Sequence, residues 1–280
     1  MLWHAHISWL RETVHGPIVM YPKTGIPYPF QLPYEEHVIV LGEYWLMDTQ
    51  ELEREVVESS GDPPSANAYV IKGHPGPLHN CLEHDMYTIC AIPGKTYLLR
   101  IVNAALNMKH FFTIANHKMT VVEVDGEYTK PFVSEHLMII PGLTTNVLVT
   151  ADQQLGSYYM GMGPYMSAHN IDFQKSPALA LLQYQGSSNI LRQKPMLPKF
   201  NDNELPQLFM NALKSLANEE NPVNVPQTID RDFFFIIGRN VERCKSSSPK
   251  KHCQGPNGGV DGKITVVSKG SGSVSVIMMR

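Results

Sequence analysis

The sequence predicts an all-β protein built as an antiparallel two-layer sandwich or a barrel. Short β-rich segments bounded by turn residues follow one another at intervals of about 8–12 residues, a spacing typical of such folds. The segments are "AYVIKG", "TYLLRIVNA", "HFFTIANH", "MTVVEVDG", "EHLMIIPG", "TNVLVTA", "GSYYMGMG" and "ALALLQY". In "TTNVLVTA", Val147 and Val149 alternate with Asn146, Leu148 and Thr150. This alternation favours a strand of a two-layer sandwich over a surface strand.

The first 31 residues are expected to form a strand, a turn and a strand. "TVHGPIVMYP" is a β-branched run, and it leads into the Pro-rich turn "YPKTGIPYPFQLP". About 30 residues cannot bury a core of their own, so this piece must pack against another part of the protein. A second unit begins near Tyr34, with "HVIVLGEYW" as its first buried strand.

One helix is expected directly after this strand. Asp48 can cap its N-terminus, Glu51 completes a capping box, and Gly61 ends it. Its apolar stripe consists of Leu52, Val56 and Val57.

The last third of the chain is predicted to be less regular. A polar, Pro-bearing connector runs from Gly186 to about Asp202, and "NDNELPQLFMNALKSLANEEN" follows as a helix with Pro206 in its first turn. The predicted apolar face of that helix consists of Leu208, Ala212 and Leu216. "RDFFFIIG" is a further strand, and the Gly/Ser-rich end "GKITVVSKGSGSVSVIMMR" has no recognisable closing element.

Composition excludes several classes of protein. The net charge of −3 gives no basic surface, so nucleic acid is not an expected partner. No apolar run approaches ~20 residues, so no membrane-spanning helix is expected. His4, His6 and Arg11 interrupt the first dozen residues, so we expect no signal peptide in this chain.

The four cysteines do not form a disulfide framework. Cys244 and Cys253 bound a short Ser/Lys/Gly-rich loop and could pair in an oxidising compartment. No pattern indicates a partner for Cys81 or Cys90.

Three other groups of residues suggest chemistry but favour structural roles. His74, His79 and His84 surround a cysteine, yet their Pro/Gly-rich segment predicts a solvated loop. Asp125 and Glu127 flank a glycine, which favours a turn over an acid/base pair. The Met-rich "YYMGMGPYM" reads as a core strand rather than a copper-binding patch, because thioethers are common packing groups.

The candidate metal ligands are His4 and His6 in "LWHAHISWLR". Residues i and i+2 of a strand point to the same face, so a strand here would place the two imidazoles side by side. An isolated His-x-His pair more often consists of ordinary strand residues, so its interpretation depends on the surrounding sequence.

The surrounding sequence resembles plant laccases, which are multicopper oxidases built of three cupredoxin domains. The resemblance lies in "LWHAHISWLRETVHGPIVMYPK", "VIVLGEYW", "YLLRIVNAALN", "FFTIANHKMTVVEVDGEYTKPF", "IIPGLTTNVLVTA" and "CQGPNG". It implies a cupredoxin-like Greek-key β-sandwich, with one complete domain and partial neighbouring domains. The expected divisions are a remnant of the first domain at 1–33, the second domain at 34–185, a linker with a helix at 186–227, and a diverged start of the third domain at 228–280.

The resemblance also implies a chemistry. His4 and His6 would each bind one copper of the coupled type 3 pair, with Trp3 packing to fix the strand. Imidazole suits both oxidation states of copper. The implied reaction oxidises phenols such as lignin precursors while one O₂ is reduced to two waters, and the implied location is extracellular, in the plant apoplast.

One departure from the family limits this expectation. The other ten histidines never repeat the His-x-His spacing, and no His-Cys-His segment exists. We therefore expect the chain to represent an interior fragment of a laccase that is inactive alone, with Cys81 unpaired because its family partner would precede Met1. The alternatives are a non-catalytic cupredoxin-like binding module that retains a weak copper site, and a degraded reading frame with no stable product.

Overall fold

The computed structural model describes residues 1–59, 64–77, 86–168, 172–187, 192–219, 222, 226–231, 235–241, 262–268 and 276–277. The chain divides into two units. The first consists of Met1–Thr49 and Pro64–Leu216, and the second of Gln50–Pro63 and Ala217–Arg280.

The first unit begins with a small two-stranded antiparallel sheet. Strand β1 (Leu2–His4) pairs with β2 (His15–Pro17), and a 3-10 helix at Ser8–Glu12 connects them. The expected strand, turn and strand are present, but both strands are shorter than the sequence suggested.

The body of the first unit is a sandwich of two six-stranded sheets. The first sheet has the order β4-β3-β6-β11-β8-β9; the second has the order β10-β7-β12-β13-β5, with β14 added beside β12. The strands in chain order are β3 (Glu35–Tyr44), β4 (Ala68–Ile71), β5 (Thr88–Ala91), β6 (Thr96–Asn103), β7 (Lys109–Ile114), β8 (Met119–Val124), β9 (Glu127–Ser134), β10 (His136–Ile139), β11 (Thr144–Thr150), β12 (Ser157–Tyr165), β13 (Ala178–Tyr184) and β14 (Arg192–Gln193). The all-β prediction is confirmed.

Strand neighbours in these sheets are mostly not neighbours in sequence. β3 pairs in parallel with β6, β5 with β13, and β14 with β12, while the other pairs in both sheets are antiparallel. Pairs between strands that are distant in sequence distinguish a Greek-key arrangement from a simple meander. β14 lies inside the segment predicted to be a plain connector, because Arg192 and Gln193 align with the start of β12.

The core lies between the two sheets and follows the period-2 pattern of the strands. Val147 and Val149 are buried in it, whereas Leu148 and Thr150 are only partly buried on the other face of β11. This alternation confirms the two-faced strand that the sequence predicted. The inner faces of both sheets contribute to one continuous hydrophobic cluster, whose members include Ile39, Leu41, Ile101, Phe112, Ile114, Val121, Met160 and Leu182.

A tight turn joins β8 to β9. Asp125 has φ 53° and Gly126 has φ 87°, so both central residues of the loop are left-handed. Asp-Gly is a preferred pair for such two-residue hairpin loops. The prediction of a turn here is therefore confirmed, with Asp125 in the loop and Glu127 as the first residue of β9.

A partly buried polar network fixes the segment before β3 against the first sheet. Nε of Arg100 donates to Oε2 of Glu36 at 2.8 Å, and its Nη2 donates to the hydroxyl of Tyr28 at 2.9 Å. That hydroxyl donates in turn to Oε1 of Glu36 at 3.1 Å. Tyr28 stacks on Phe30, which contacts Tyr128 of β9 edge-on. The segment thus covers part of the outer face of this sheet.

Both predicted helices are present, with differences. Helix α1 (Thr49–Ser59) begins directly after Asp48, and the proposed end at Gly61 lies outside the described residues. Helix α2 (Glu204–Ala212) begins where the side chain of Asp202 accepts the backbone N–H groups of Glu204 and Leu205.

The apolar face predicted for α2 is wrong. Leu208 is exposed, and the buried residue is Phe209, whose ring packs edge-on against Phe132 of β9 at 5.5 Å. Leu213, four residues further on, also packs against the core, but its backbone is already extended. The helix therefore ends before Leu216, because the following residues align beside β9, with Lys130 N–H donating to Lys214 O.

In the second unit, the described strands form a three-stranded antiparallel sheet in the order β15-β16-β17. They are β15 (Phe235–Val241), β16 (Gly262–Ser268) and β17 (Val276–Ile277). β15 contains the second half of the strand predicted from "RDFFFIIG", from Phe235 to Gly238, and residues 232–234 lie outside the described part of the chain.

Candidate metal centre

The candidate ligands lie in the β1–β2 hairpin, which backbone hydrogen bonds close at both ends. Ile18 N–H donates to Met1 O at 2.7 Å, and Ala5 N–H donates to Val14 O at 2.8 Å. The registered pairs are Leu2 with Pro17, Trp3 with Gly16, and His4 with His15. The hairpin places the predicted ligand His4 on its last paired position.

Trp3 packs across the hairpin rather than into a core. An added Cβ at Gly16 would lie 2.6 Å from Nε1 of Trp3, so the indole lies directly on the glycine backbone. Trp3 remains about half exposed on its other side. The expected role of Trp3 in fixing the strand is consistent with this contact, and only glycine leaves room for it.

His4 is exposed and has a defined tautomer. Its Nδ1 lies 2.9 Å from the carbonyl oxygen of Ala5, which can only accept, so Nδ1 carries the proton. Nε2 then keeps its lone pair. A backbone hydrogen bond of this kind is typical of histidines that bind metals.

His6 does not share the strand with His4. β1 ends at His4, and His6 follows in a bend, where its side chain is exposed. The argument that residues i and i+2 point to one face of a strand is therefore wrong here, because the chain turns into the Ser8–Glu12 helix. The ligand role of His6 stays a prediction.

The structure adds a third histidine that the sequence reasoning missed. His15 lies opposite His4 in the register, and its Nδ1 lies 2.9 Å from the carbonyl oxygen of Arg11. Directly opposed residues of an antiparallel pair lie on the same face of the sheet. The signal in the sequence was the second β-branched run, "TVHGPIV", which could have been paired with β1.

Arg11 connects the hairpin region to a loop of the sandwich, and Glu43 of β3 holds that loop in place. Nη2 of Arg11 donates to the carbonyl oxygen of Leu106 at 2.6 Å. The same loop is held from β3, because Asn107 N–H donates to Oε2 of buried Glu43 at 3.0 Å. Burial raises the pKa of Glu43, although hydrogen bonds from the backbone N–H groups of the loop oppose this rise. The pKa of Glu12 is also raised, mainly by burial and in part by the negative charge of Glu43.

The described residues do not complete a metal site. Within them, no group of three or more His, Cys, Asp or Glu side chains is close enough to hold a metal ion. A copper ion held by His4 and His6 alone would leave most of its coordination positions to water. The donor set fits part of a copper centre and not a whole one.

The remaining candidates lie apart from this hairpin. His74 is exposed in the turn after β4, where its backbone pairs with Ile71, while His79, Cys81 and His84 lie outside the described residues. Cys244 and Cys253 also lie outside them. Cys90 is a free, exposed thiol on β5.

Comparisons with known proteins place this architecture in a family. Laccase-6 of Arabidopsis thaliana is 53% identical over 259 residues, which cover 92% of this chain and 45% of that protein. Laccase-4 of Oryza sativa subsp. japonica is 43% identical over 267 residues, covering 91% of this chain and 46% of that protein. The chain thus spans under half the length of these relatives, and the resemblance to plant laccases is confirmed.

A solved structure supports the fold. A mutant of the laccase from B. aclada matches with a TM-score of 0.58 at 20% identity, over 71% of this chain and 37% of that one. The multicopper oxidase family model matches residues 35–187, the part of the chain that forms most of the sandwich. Because the matched residues make up more than half of the chain, the chain belongs to the multicopper oxidase family.

Proposed function

We propose that this chain forms part of a laccase-type oxidase in which His4 and His6 bind the type 3 copper pair. The observation that carries the proposal is the 2.9 Å contact between Nδ1 of exposed His4 and the carbonyl oxygen of Ala5, which leaves Nε2 as the ring nitrogen with a lone pair for a metal. This imidazole lies in a chain that is 53% identical to a plant laccase. Imidazole is a suitable donor for Cu(I) and Cu(II).

The residues of this chain would hold and position the metal rather than carry out the redox chemistry. Copper, when bound, supplies one-electron steps that couple oxidation of phenols, including lignin precursors, to reduction of O₂. The register of β1 with β2 and the contact of Trp3 with Gly16 fix the backbone from which His4 projects. Arg11 connects this backbone to the loop at Leu106.

We further propose that the 280-residue chain does not turn over phenols by itself. Its sequence has no second His-x-His motif and no His-Cys-His segment to supply a mononuclear copper site. The domain divisions at 1–33, 34–185, 186–227 and 228–280, and the extracellular, apoplastic location, belong to the same proposal. Among the described residues, no helix has the length and apolar character needed to cross a membrane.

Copper binding and oxidase activity test the proposal together. Equilibrium dialysis against Cu(II), followed by mass-spectrometric metal analysis, should give copper binding that weakens by about 10-fold or more in His4→Ala, because one imidazole donor is lost. His74→Ala, which removes an exposed loop histidine, is the matched control and should bind copper as the parent does. Equal copper binding by His4→Ala would contradict the ligand assignment.

The activity arm uses the same proteins. With added copper and a phenolic dye, the chain should show no O₂ uptake above a protein-free control. Measurable uptake that disappears in His4→Ala would overturn the proposal that this chain is inactive alone.

A non-catalytic cupredoxin-like binding module is the second candidate. It is favoured by the exposure of both candidate ligands and by the lack of a three-donor group among the described residues. The two candidates differ on mixing with the remaining part of a homologous laccase. Restored phenol oxidation would support the oxidase and exclude the module.

A further inference from the structure

Three aromatic rings form a buried cluster within the sandwich, away from the histidine hairpin. His117, Tyr158 and Tyr184 are each at most 3% exposed. The ring centroids of His117 and Tyr158 are 4.7 Å apart, those of Tyr158 and Tyr184 are 5.2 Å apart, and those of His117 and Tyr184 are 5.8 Å apart.

The neighbouring backbone groups fix which atom donates and which accepts in each hydrogen bond of this cluster. The backbone N–H of Gln153 donates to the hydroxyl oxygen of Tyr184 at 3.2 Å. On the other side, Nδ1 of His117 lies 2.7 Å from the carbonyl oxygen of Ala115, so Nδ1 carries the proton and Nε2 accepts. The Tyr184 hydroxyl therefore donates to Nε2 of His117, at 2.6 Å.

Both partners are neutral in the resting protein. Burial raises the pKa of Tyr184 to about 12, and burial lowers the pKa of His117 against opposing effects of Ala115 and Asp152. A phenol that loses one electron becomes a strong acid. Its proton would then have a short, already aligned path to an imidazole.

We propose that Tyr184 and His117 form a proton-coupled redox site. One electron leaves the Tyr184 ring for a high-potential one-electron metal oxidant, a class that includes the Cu(II) ions of the proposed oxidase. The O–H bond of Tyr184 breaks at the same time, and its proton passes to Nε2 of His117, which gives a neutral phenoxyl radical and an imidazolium. Return of one electron from a donor reverses both transfers.

The surroundings of the two residues suit this step. Tyr184 lines an open pocket of about 470 Å³ that also includes Tyr34 and Tyr97. His117 lines a separate pocket of about 360 Å³ that also includes Glu135 and His136. The negative charge of Asp152, which acts to raise the pKa of His117, favours the imidazolium formed in the step. Each partner of the pair therefore borders a different pocket.

Flash photolysis of the copper-free, full 280-residue chain tests the proposal. A ruthenium polypyridyl complex, oxidised by flash and quencher, takes the electron, and absorbance and electron paramagnetic resonance detect the phenoxyl radical. The parent should show a radical phase that slows in deuterated water, because a proton moves in the rate-determining step. Tyr184→Phe should lack this phase.

Two further variants separate the redox role from a structural one. His117→Gln retains a hydrogen-bond acceptor but no base, and the radical phase should be about 10-fold slower or more, since a charge-assisted hydrogen bond can no longer form. Tyr159→Phe is the matched control and should keep the phase. Tyr159 is buried on the opposite face of β12 beside Leu179 and Leu181, and within the described residues it has no hydrogen bond to a histidine.

Two results would overturn the proposal. One is a radical phase in Tyr184→Phe equal to that of the parent. The other is a parent rate unaffected by deuterated water and by His117→Gln, which would leave the pair a purely structural hydrogen bond that affects only thermal stability. Because the chain is free of copper here, neither result bears on whether His4 and His6 bind copper.

Discussion

Replacing His110 with leucine should make the protein more stable and less sensitive to acid. His110 lies on β7 and is fully buried, with its ring edge-on to Tyr69 at a centroid distance of 4.7 Å. Within the described residues, neither ring nitrogen has a hydrogen-bond partner of good geometry. Burial lowers the pKa of His110 to about 3, and the nearby Gly163 backbone opposes this only in part.

Acid destabilises the protein through His110 because the unfolded chain binds a proton at this residue more readily than the folded chain does. The unfolded chain binds a proton at His110 below pH about 6.5, whereas the folded chain does so only near pH 3, so acid favours unfolding throughout this interval. From pH 7.5 to 5.0, this single group should reduce the free energy of unfolding by about 2 kcal/mol. His110→Leu should remove that loss. It should also add about 1–3 kcal/mol at pH 7.5, because two unpaired buried nitrogens disappear.

Urea unfolding at pH 7.5 and 5.0 measures both quantities. The parent should lose more stability between the two pH values than His110→Leu does, by about 2 kcal/mol. His74→Leu, which changes an exposed histidine, should lose as much as the parent. If His110→Leu shows the same acid sensitivity as the parent, the explanation by a buried, unpaired imidazole is refuted.

Three further substitutions probe contacts described above. Gly16→Ala places a Cβ 2.6 Å from the Trp3 indole, so the tryptophan fluorescence should shift and the free energy of unfolding should fall by about 1–3 kcal/mol. An unchanged emission spectrum would contradict the contact between Trp3 and Gly16. Arg100→Met removes the charged partner of the partly buried Glu36 carboxylate, which keeps only the Tyr28 hydroxyl, and should cost about 1–3 kcal/mol in urea unfolding. Tryptic cleavage at the segment before β3 should become faster, and unchanged cleavage would argue against the network. Val147→Ala should cost about 2 kcal/mol by thermal melting, more than Leu148→Ala on the other face of β11, and the reverse order would contradict the assigned core face.

Local sequence rules predicted those parts of the fold that depend on neighbouring residues. The alternation around Val147 and the Asp125–Gly126 turn are properties of a few consecutive residues, and both were correct. The buried face of α2 was missed because it is set by a distant aromatic partner. Phe209 outcompetes Leu208 for burial since it meets Phe132 of β9.

In the candidate site, too, features set by neighbouring residues could be predicted, whereas features set by strand pairing could not. The His4 and His6 pair could be found from its spacing, but the bend after His4 and the position of His15 depend on how β1 pairs with β2. No local pattern reveals that His110 is enclosed with both ring nitrogens lacking a well-aligned hydrogen bond among the described residues, because the side chains around it come from other strands. The redox pair of His117 and Tyr184 likewise joins residues that only the folded sandwich brings together.

The parallel pairing of β3 with β6 has a consequence for the chain as it is synthesised. Glu35 pairs with Tyr97, so the edge of β3 that β6 covers emerges from the ribosome roughly sixty residues before its partner strand, whereas β4 can cover the other edge earlier. The β8–β9 hairpin closes through neighbouring residues and can form at once. During biosynthesis, this edge of β3 therefore stays unpaired for longer than either strand of the β8–β9 hairpin, and over that interval it is exposed to chaperones and to aggregation.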